Sequence, residues 1–263
     1  MGIDPILGIH TRYNILMHLE TVDRLLALNR QFYQTFAHPF SATRQRLQPG
    51  ILRILHTIHP MDNILDLGCG NGELAWALAM RGHGSPYVGL DFCAELLTEA
   101  RDVGQEGILP CKFIQADLST ADWDTVIGGQ NFEIVLAFAV LHHLPGDDLR
   151  RQILRKVHRL LSPKGRFIHS EWQFLNSSRL RKRIQPWETV GLTAAEVERG
   201  DYLLDWRSGG LGLRYVHHFS IEELAALAED CGFRIAETFF SDGEGGKLAV
   251  YQVWRSGDDI REE

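Results

Sequence analysis

Three acidic residues, each just past or at the end of a short apolar run, are the first candidates for chemistry in this 263-residue chain: Asp66, Asp91 and Asp117. Asp66 opens the stretch Asp66-Leu67-Gly68-Cys69-Gly70-Asn71-Gly72, where a strand pattern hands over to a helix pattern. Glycines there let a ligand touch the backbone, and the start of a helix offers N–H donors that have no partner in the helix itself. A dinucleotide fingerprint would place its third glycine three residues after the second, where this chain has Glu73, and Gly72 comes one residue early. A tight turn without a ligand is the alternative. Asp91, followed by Phe92, closes a second apolar run, where a carboxylate accepts both hydroxyls of a ribose; Asp117 with Leu118 closes a third, where an acid beside an apolar residue suits the edge and face of an adenine. Each acid read singly also fits a helix cap.

His142 and His143 follow a fourth apolar run, Phe132–Ala137, at the start of a turn or helix. One of them facing a ligand and both serving as packing residues are equally open readings, and with no third ligand evident no metal is expected. Three further patches gather cations and rings. Phe36 to Arg44 precedes the first strand, so Arg44 is positioned to pair with a bound carboxylate. Arg179-Leu180-Arg181-Lys182-Arg183 leads into Pro186-Trp187, and Arg214-Tyr215-Val216-His217-His218-Phe219 follows later. The run from Arg179 to Arg183 also fits a solvated helix face.

The elements that must hold these residues alternate. Strands are expected at Asn63–Leu67, Tyr87–Asp91, Cys111–Ala116, Phe132–Ala137 and Arg166–Trp172, with helices from Glu73, near Cys93–Asp102 and at Asp147–Leu161. This is the pattern of a mostly parallel sheet with helices on both faces. Ser162-Pro163-Lys164-Gly165 is a stop and turn before the fifth strand. Ser220 and Glu223 form a capping box for a last helix, and Phe233–Phe240 and Lys247–Trp254 flank a glycine-rich hairpin turn. We divide the chain into an N-terminal helical cap (1–60), a main domain (61–256) with a lid insertion (173–215), and a frayed tail (257–263).

Composition narrows the class. With 44% hydrophobic and 23% charged residues the chain is an ordinary globular one, and a net charge of −7 disfavours indiscriminate binding to polyanions. No apolar run approaches the ~18 to 20 residues of a spanning helix, and the N-terminus mixes Asp4, His10, Arg12 and His18 among its apolar residues, so a cytoplasmic protein without membrane contact is expected. Cys69, Cys93, Cys111 and Cys231 show no paired spacing and are expected as free thiols.

In Ile64 to Gly72, Val88 to Asp91, Gln115 to Leu118 and Phe132 to Leu144, taken in that order and at those spacings, the chain resembles the class I S-adenosylmethionine-dependent methyltransferases over roughly Asp62 to Arg255. The resemblance implies a Rossmann-like, doubly wound α/β fold with a seven-stranded sheet, mostly parallel with an antiparallel last strand. It implies S-adenosylmethionine as cofactor, held by Arg44, Asp66, Gly68, Cys69, Gly70, Asp91, Phe92, Asp117 and Leu118, with its methionine end near Ala137 and Phe138. His142, Arg214, Tyr215 and His217 are the expected substrate-positioning residues. The three cationic patches are similar to those of tRNA methyltransferases that esterify a carboxymethyl group on wobble uridine, with departures at Gln185 and Val216. The acceptor is accordingly a small metabolite or a modified tRNA base. Some of those enzymes take an activating partner protein, and no residue here decides for or against one. The alternative from another class is a non-catalytic adaptor that binds a partner, against which the intact cofactor constellation speaks.

Overall fold

The structure, a computed structural model, describes residues 17–42, 46–105 and 109–257. Arg44 and the tail beyond residue 257 lie outside the described residues.

Seven strands form the main sheet: β1 (Ile64–Leu67), β2 (Tyr87–Asp91), β3 (Cys111–Gln115), β4 (Phe132–Phe138), β5 (Leu161–Trp172), β9 (Phe233–Ser241) and β10 (Ala249–Ser256). Their order is β3-β2-β1-β4-β5-β10-β9. All neighbours from β3 to β5 pair in parallel, whereas β10 runs antiparallel to both β5 and β9. Side chains alternate between two cores, as a strand period of two requires. Ile64, Ile134 and Leu136 enter one core with α3 (Glu73–Met80), and Leu65, Val135 and Ala137 enter the other with α5 (Asp147–Leu160) and α7 (Ile221–Asp230). The turn at Ser162–Gly165 interrupts β5 where its register with β4 shifts, and Lys164 there adopts φ 66°.

The chain order reverses between β1 and β4. In a doubly wound sheet that reversal opens a crevice beyond the strand C-termini, which is where ligands bind. Asp66, Asp91 and His142 all sit on this rim.

Two additions roof the crevice. The first is the helix α1 (Leu19–Ala42), which packs on α4 (Ala94–Gln105) and on β8 (Gly212–His217). It bends at Phe36 (φ −112°, ψ 19°), three residues before Pro39, whose ring would clash with the carbonyl one turn back. The second is the insertion, which is a folded unit: β6 (Ile184–Gln185), β7 (Asp201–Trp206) and β8 make a three-stranded antiparallel sheet. β8 extends to His217, two residues past the boundary expected from sequence.

Candidate functional site

A cavity of about 450 Å³ occupies the crevice. Its floor is the loop after β1. Gly68 has φ 73° and lies so close to β4's continuation that an added Cβ would fall 2.6 Å from Val140 Cγ2, so both conformation and space require glycine. Gly70 has φ 56° and nothing within 4 Å of an added Cβ. Its N–H donates to Asp91 Oδ2 at 2.9 Å, and Cys93 N–H donates to Asp91 Oδ1 at 2.8 Å, which aims the Asp91 carboxylate along the rim. Burial raises the Asp91 pKa, and these backbone donors pull it partly back.

Asp66 is only 3% exposed and accepts a hydrogen bond from the buried Tyr87 hydroxyl. Burial pushes its pKa up to about 7; the Tyr87 bond opposes this, and the nearby Asp91 charge adds to it. At the third strand, burial works to raise the Asp117 pKa, but hydrogen bonds from Ser119 and Arg30 outweigh it and the net shift is downward. Arg30 Nε donates to Asp117 Oδ2 at 2.7 Å, so the helix α1 is tied directly to the rim. Cys69, Phe92, Leu118 and Phe138 also line the cavity.

The opposite wall is built from the segment after β4, from β5 and from the two roofing additions. Ala139 holds φ 58°, costly for a residue with a Cβ, and its N–H bonds the Ser170 carbonyl at 3.0 Å. His142 and His143 follow, their rings 4.4 Å apart, and both line the cavity. His142 Nδ1 lies 2.8 Å from Glu171 Oε2 and accepts from Trp172 N–H at 3.3 Å. Burial raises the Glu171 pKa far above the usual carboxylate range, while the His142 backbone N–H, which donates to the same oxygen, and the Arg150 charge pull the other way. The other Glu171 oxygen meets His169 Nδ1 at 2.9 Å, and burial pushes His169 down to about 3.

Arg214, only 6% exposed, reaches the same cavity from β8. Its guanidinium lies 4.8 Å from the Trp172 ring centre, 5.3 Å from that of Phe32 and 5.5 Å from that of Trp206. Aromatic faces stabilise the buried cation without neutralising it.

The other expected positions fall elsewhere. Ala137 is wholly buried within the sheet. Tyr215 and His217 do not line the cavity: alternation along β8 turns them away from the face that presents Arg214 there. The Tyr215 hydroxyl and His217 Nδ1 both reach Asp201 Oδ1, at 2.7 and 2.6 Å, and His217 Nε2 meets Glu223 at 2.8 Å. Glu198, Asp201 and His217 bring ligand-type atoms within 4.8 Å of one another, but Arg150 already pairs with Glu198 and the His217 nitrogens are engaged. In place of Tyr215 and His217 the cavity wall has Leu26, Asn29, Arg30 and Tyr33, one face of α1 at spacings of three and four. That spacing was visible in the sequence; that the face covers this cavity was not.

A family model described as a methyltransferase domain matches residues 40–238. A protein of Encephalitozoon cuniculi described as a methyltransferase is 28% identical over 208 residues, covering 79% of this chain and 87% of its own length. The tRNA (carboxymethyluridine(34)-5-O)-methyltransferase of Arabidopsis thaliana is 26% identical over 140 residues, 53% of this chain but only 31% of that protein. A ubiquinone biosynthesis O-methyltransferase of Aliivibrio fischeri is 29% identical over 135 residues, 46% of this chain and 54% of that one. Among solved structures, the 1,6-didemethyltoxoflavin-N1-methyltransferase of Burkholderia thailandensis, with its acceptor and S-adenosylhomocysteine bound, has a TM-score of 0.57 at 20% identity, covering 97% and 93% of the two chains. A Methanosarcina mazei methyltransferase has a TM-score of 0.60 at 23% identity, covering 80% and 98%.

Proposed function

The chain belongs to the S-adenosylmethionine-dependent methyltransferases, and we propose that its acceptor is a small molecule carrying an anionic group. The cofactor supplies a methyl already activated on a sulfonium. The chain's residues have to hold that methyl and a nucleophile in line, which is worth ~7 to 11 kcal/mol. On this reading Asp91 takes the ribose, Asp117 and Leu118 the adenine, and Asp66 with the Gly68–Gly70 loop the methionine end. Phe92 and Phe138 pack beside it.

The observation that carries the acceptor reading is Arg214. A buried guanidinium walled by Phe32, Trp172 and Trp206 lines the cofactor cavity, and its planar fork suits a carboxylate or similar anion. The basic run gives little support to an RNA acceptor. Arg179, Arg181 and Lys182 are exposed and none of them lines the cavity, and the chain spans about a third of the tRNA enzymes it matches. The four cysteines are unpaired thiols, a state suited to the reducing cytoplasm, where we place the activity.

The test is methyl transfer from labelled S-adenosylmethionine into two fractions of one lysate, a small-molecule extract and total tRNA. Label in the extract supports the proposal. Label confined to tRNA, released by mild base as an ester is, overturns it in favour of the modified-uridine reading.

A further inference from the structure

An ionised carboxylate needs no base to accept a methyl, whereas a hydroxyl with a pKa near ~10 does. The cavity holds a hydrogen-bonded pair suited to the second case. His143 Nδ1 lies 3.2 Å from the Tyr215 backbone carbonyl. A carbonyl can only accept, so Nδ1 carries the proton, and in the neutral ring Nε2 is then an acceptor. Nε2 lies 2.8 Å from the Tyr33 hydroxyl, which therefore donates to it. Asn29, one turn before Tyr33 on α1, fixes the frame: its side-chain amide donates to the His143 and Tyr215 carbonyls at 3.1 and 3.2 Å, and its oxygen accepts from Tyr215 N–H at 2.8 Å. The Tyr33 ring is held edge-on by Phe32 and Phe92, with centroids 5.1 and 5.8 Å away. Tyr33 and His143 both line the cavity, so the pair stands where an acceptor must lie.

We infer that Tyr33 and His143 form a proton relay for an acceptor whose methylated atom carries a hydrogen, a hydroxyl foremost, while Arg214 holds the acceptor's anionic group. This rests on the methyltransferase reading above and deepens it. As the acceptor oxygen forms its bond to the methyl carbon, its proton passes to Tyr33 Oη and the Tyr33 proton passes to His143 Nε2. The broken carbon–sulfur bond leaves its electron pair on sulfur. One positive charge thus moves from the sulfonium to the His143 imidazolium, whose Nδ1–H stays on the Tyr215 carbonyl, and the proton leaves to solvent after turnover. Tyr33 is the residue that touches the acceptor; His143 acts through it. Titratable groups in contact with His143 include Tyr33 from α1, His142 beside it with Glu171 behind that ring, and Tyr215 from β8, whose hydroxyl meets Arg150 from α5.

Two measurements test the relay. Nitrogen-15 spectra of histidine-labelled protein at pH 7.5 should find His143 neutral with its proton on Nδ1, and Tyr33→Phe should move only the Nε2 signal. In the labelling experiment, label should enter the small-molecule extract in a product stable to mild base. Tyr33→Phe and His143→Gln should lower the initial rate ~10²- to 10⁴-fold, leave S-adenosylhomocysteine affinity unchanged, and lose less as the pH is raised towards ionisation of the acceptor. A His143 proton on Nε2, a wild-type rate in Tyr33→Phe, or label released as an ester overturns the relay. Label found only in tRNA overturns the small-acceptor reading instead, and the same variants then judge the relay in that fraction.

Discussion

Asp66 is an acid buried where, on the proposed reading, the cofactor's cationic amino acid moiety binds. With its pKa raised to about 7 by burial, the side chain is largely protonated at pH 6 and largely ionised at pH 8. If the ionised form binds the cofactor, affinity for S-adenosylhomocysteine should strengthen about tenfold from pH 6 to pH 8 in calorimetry, and Asp66→Asn should abolish that slope. The stability effect has the opposite sense. Because the folded-state value lies above that of the unfolded chain, near ~4, Asp66 favours the cofactor-free fold most below that pH and progressively less up to about 7. The wild-type minus Asp66→Asn melting difference should fall through that window and flatten above it; a flat difference throughout would sink the assignment. The neighbouring roles separate cleanly by mutation. Asp91→Ala removes the acceptor of the Gly70 and Cys93 N–H groups and should weaken cofactor binding roughly 10- to 100-fold, whereas Arg214→Ala should leave it within ~twofold and cut turnover at least tenfold. Equal loss of affinity in both would refute the division. Asp66, Asp91 and Asp117 were legible in the sequence because an acid at the end of an apolar run is a local pattern. Tyr33 was not, since its role depends on a helix crossing a sheet that forms later in the chain. Tyr215 and His217 were assigned to the site by their neighbourhood to Arg214, but one step along a strand reverses the face.

At the scale of elements, the insertion is latched to the main domain by ionised side chains. Carboxylates only accept, so a histidine held by Asp201 at Nδ1 and Glu223 at Nε2 is favoured as the imidazolium. Burial and the Arg150 charge work to lower the His217 pKa, but the two carboxylates prevail and it stands above its ordinary value. Asp201 belongs to β7, Glu223 to α7 and Arg150 to α5, so this one ring connects both parts of the molecule; Tyr215, Glu198 and His218 complete its charged and titratable surroundings. A raised folded-state value means the latch is at full strength below pH ~6.5 and is lost as the pH climbs through that higher value. Amide exchange, corrected for intrinsic rate, should show residues 201–217 losing protection from pH 6 to pH 9 relative to β1 and β4, and Glu223→Gln should flatten the change. Equal protection across that range would remove the latch from the account. The same helix shows how far a motif can be read: Ser220 Oγ does accept from Glu223 N–H at 3.1 Å, as a capping box requires, but the Glu223 carboxylate turns to His217 instead of closing the box. Ser220→Ala should still cost about 1 kcal/mol in a denaturant titration, from the missing cap alone. The three strands of the insertion escaped the sequence reading for a physical reason. β6 is two residues long, and β7 and β8 place Asp201, Asp205, Arg214 and His217 among their apolar positions, so the hydrophobic pattern alone does not mark them.

For the molecule as a whole, the seven-stranded sheet was legible because its five parallel strands are apolar runs, all but β3 and β4 separated by a helix, and such a chain has few ways to fold. The cavity's roof was not, because it joins residues 26–33 to 214, elements brought together only by the finished fold. That enclosure decides what the net charge of −7 can do. On the proposed reading, a small anion seated on Arg214 would be shielded by Phe32, Trp172 and Trp206 from the ions that screen surface charges, and the long-range field of the protein would oppose its approach slightly. Raising salt from about 50 to about 200 mM relaxes that repulsion and barely touches the buried ion pair, so KM for the acceptor should change by no more than ~threefold. An RNA held on the basic run from Arg179 to Arg183 would behave oppositely. Every phosphate that the protein neutralises releases counterions, so added salt opposes binding, and an RNA held through roughly 6 to 10 phosphates would bind ~10³- to 10⁵-fold more weakly at the top of the same range. The salt series needs no knowledge of the acceptor's identity, only the methyl-accepting extract as substrate. A steep fall in affinity would move the acceptor from the enclosed cavity to the exposed basic surface and make the Arg214 clamp a packing feature; a flat response would keep it at the centre of recognition.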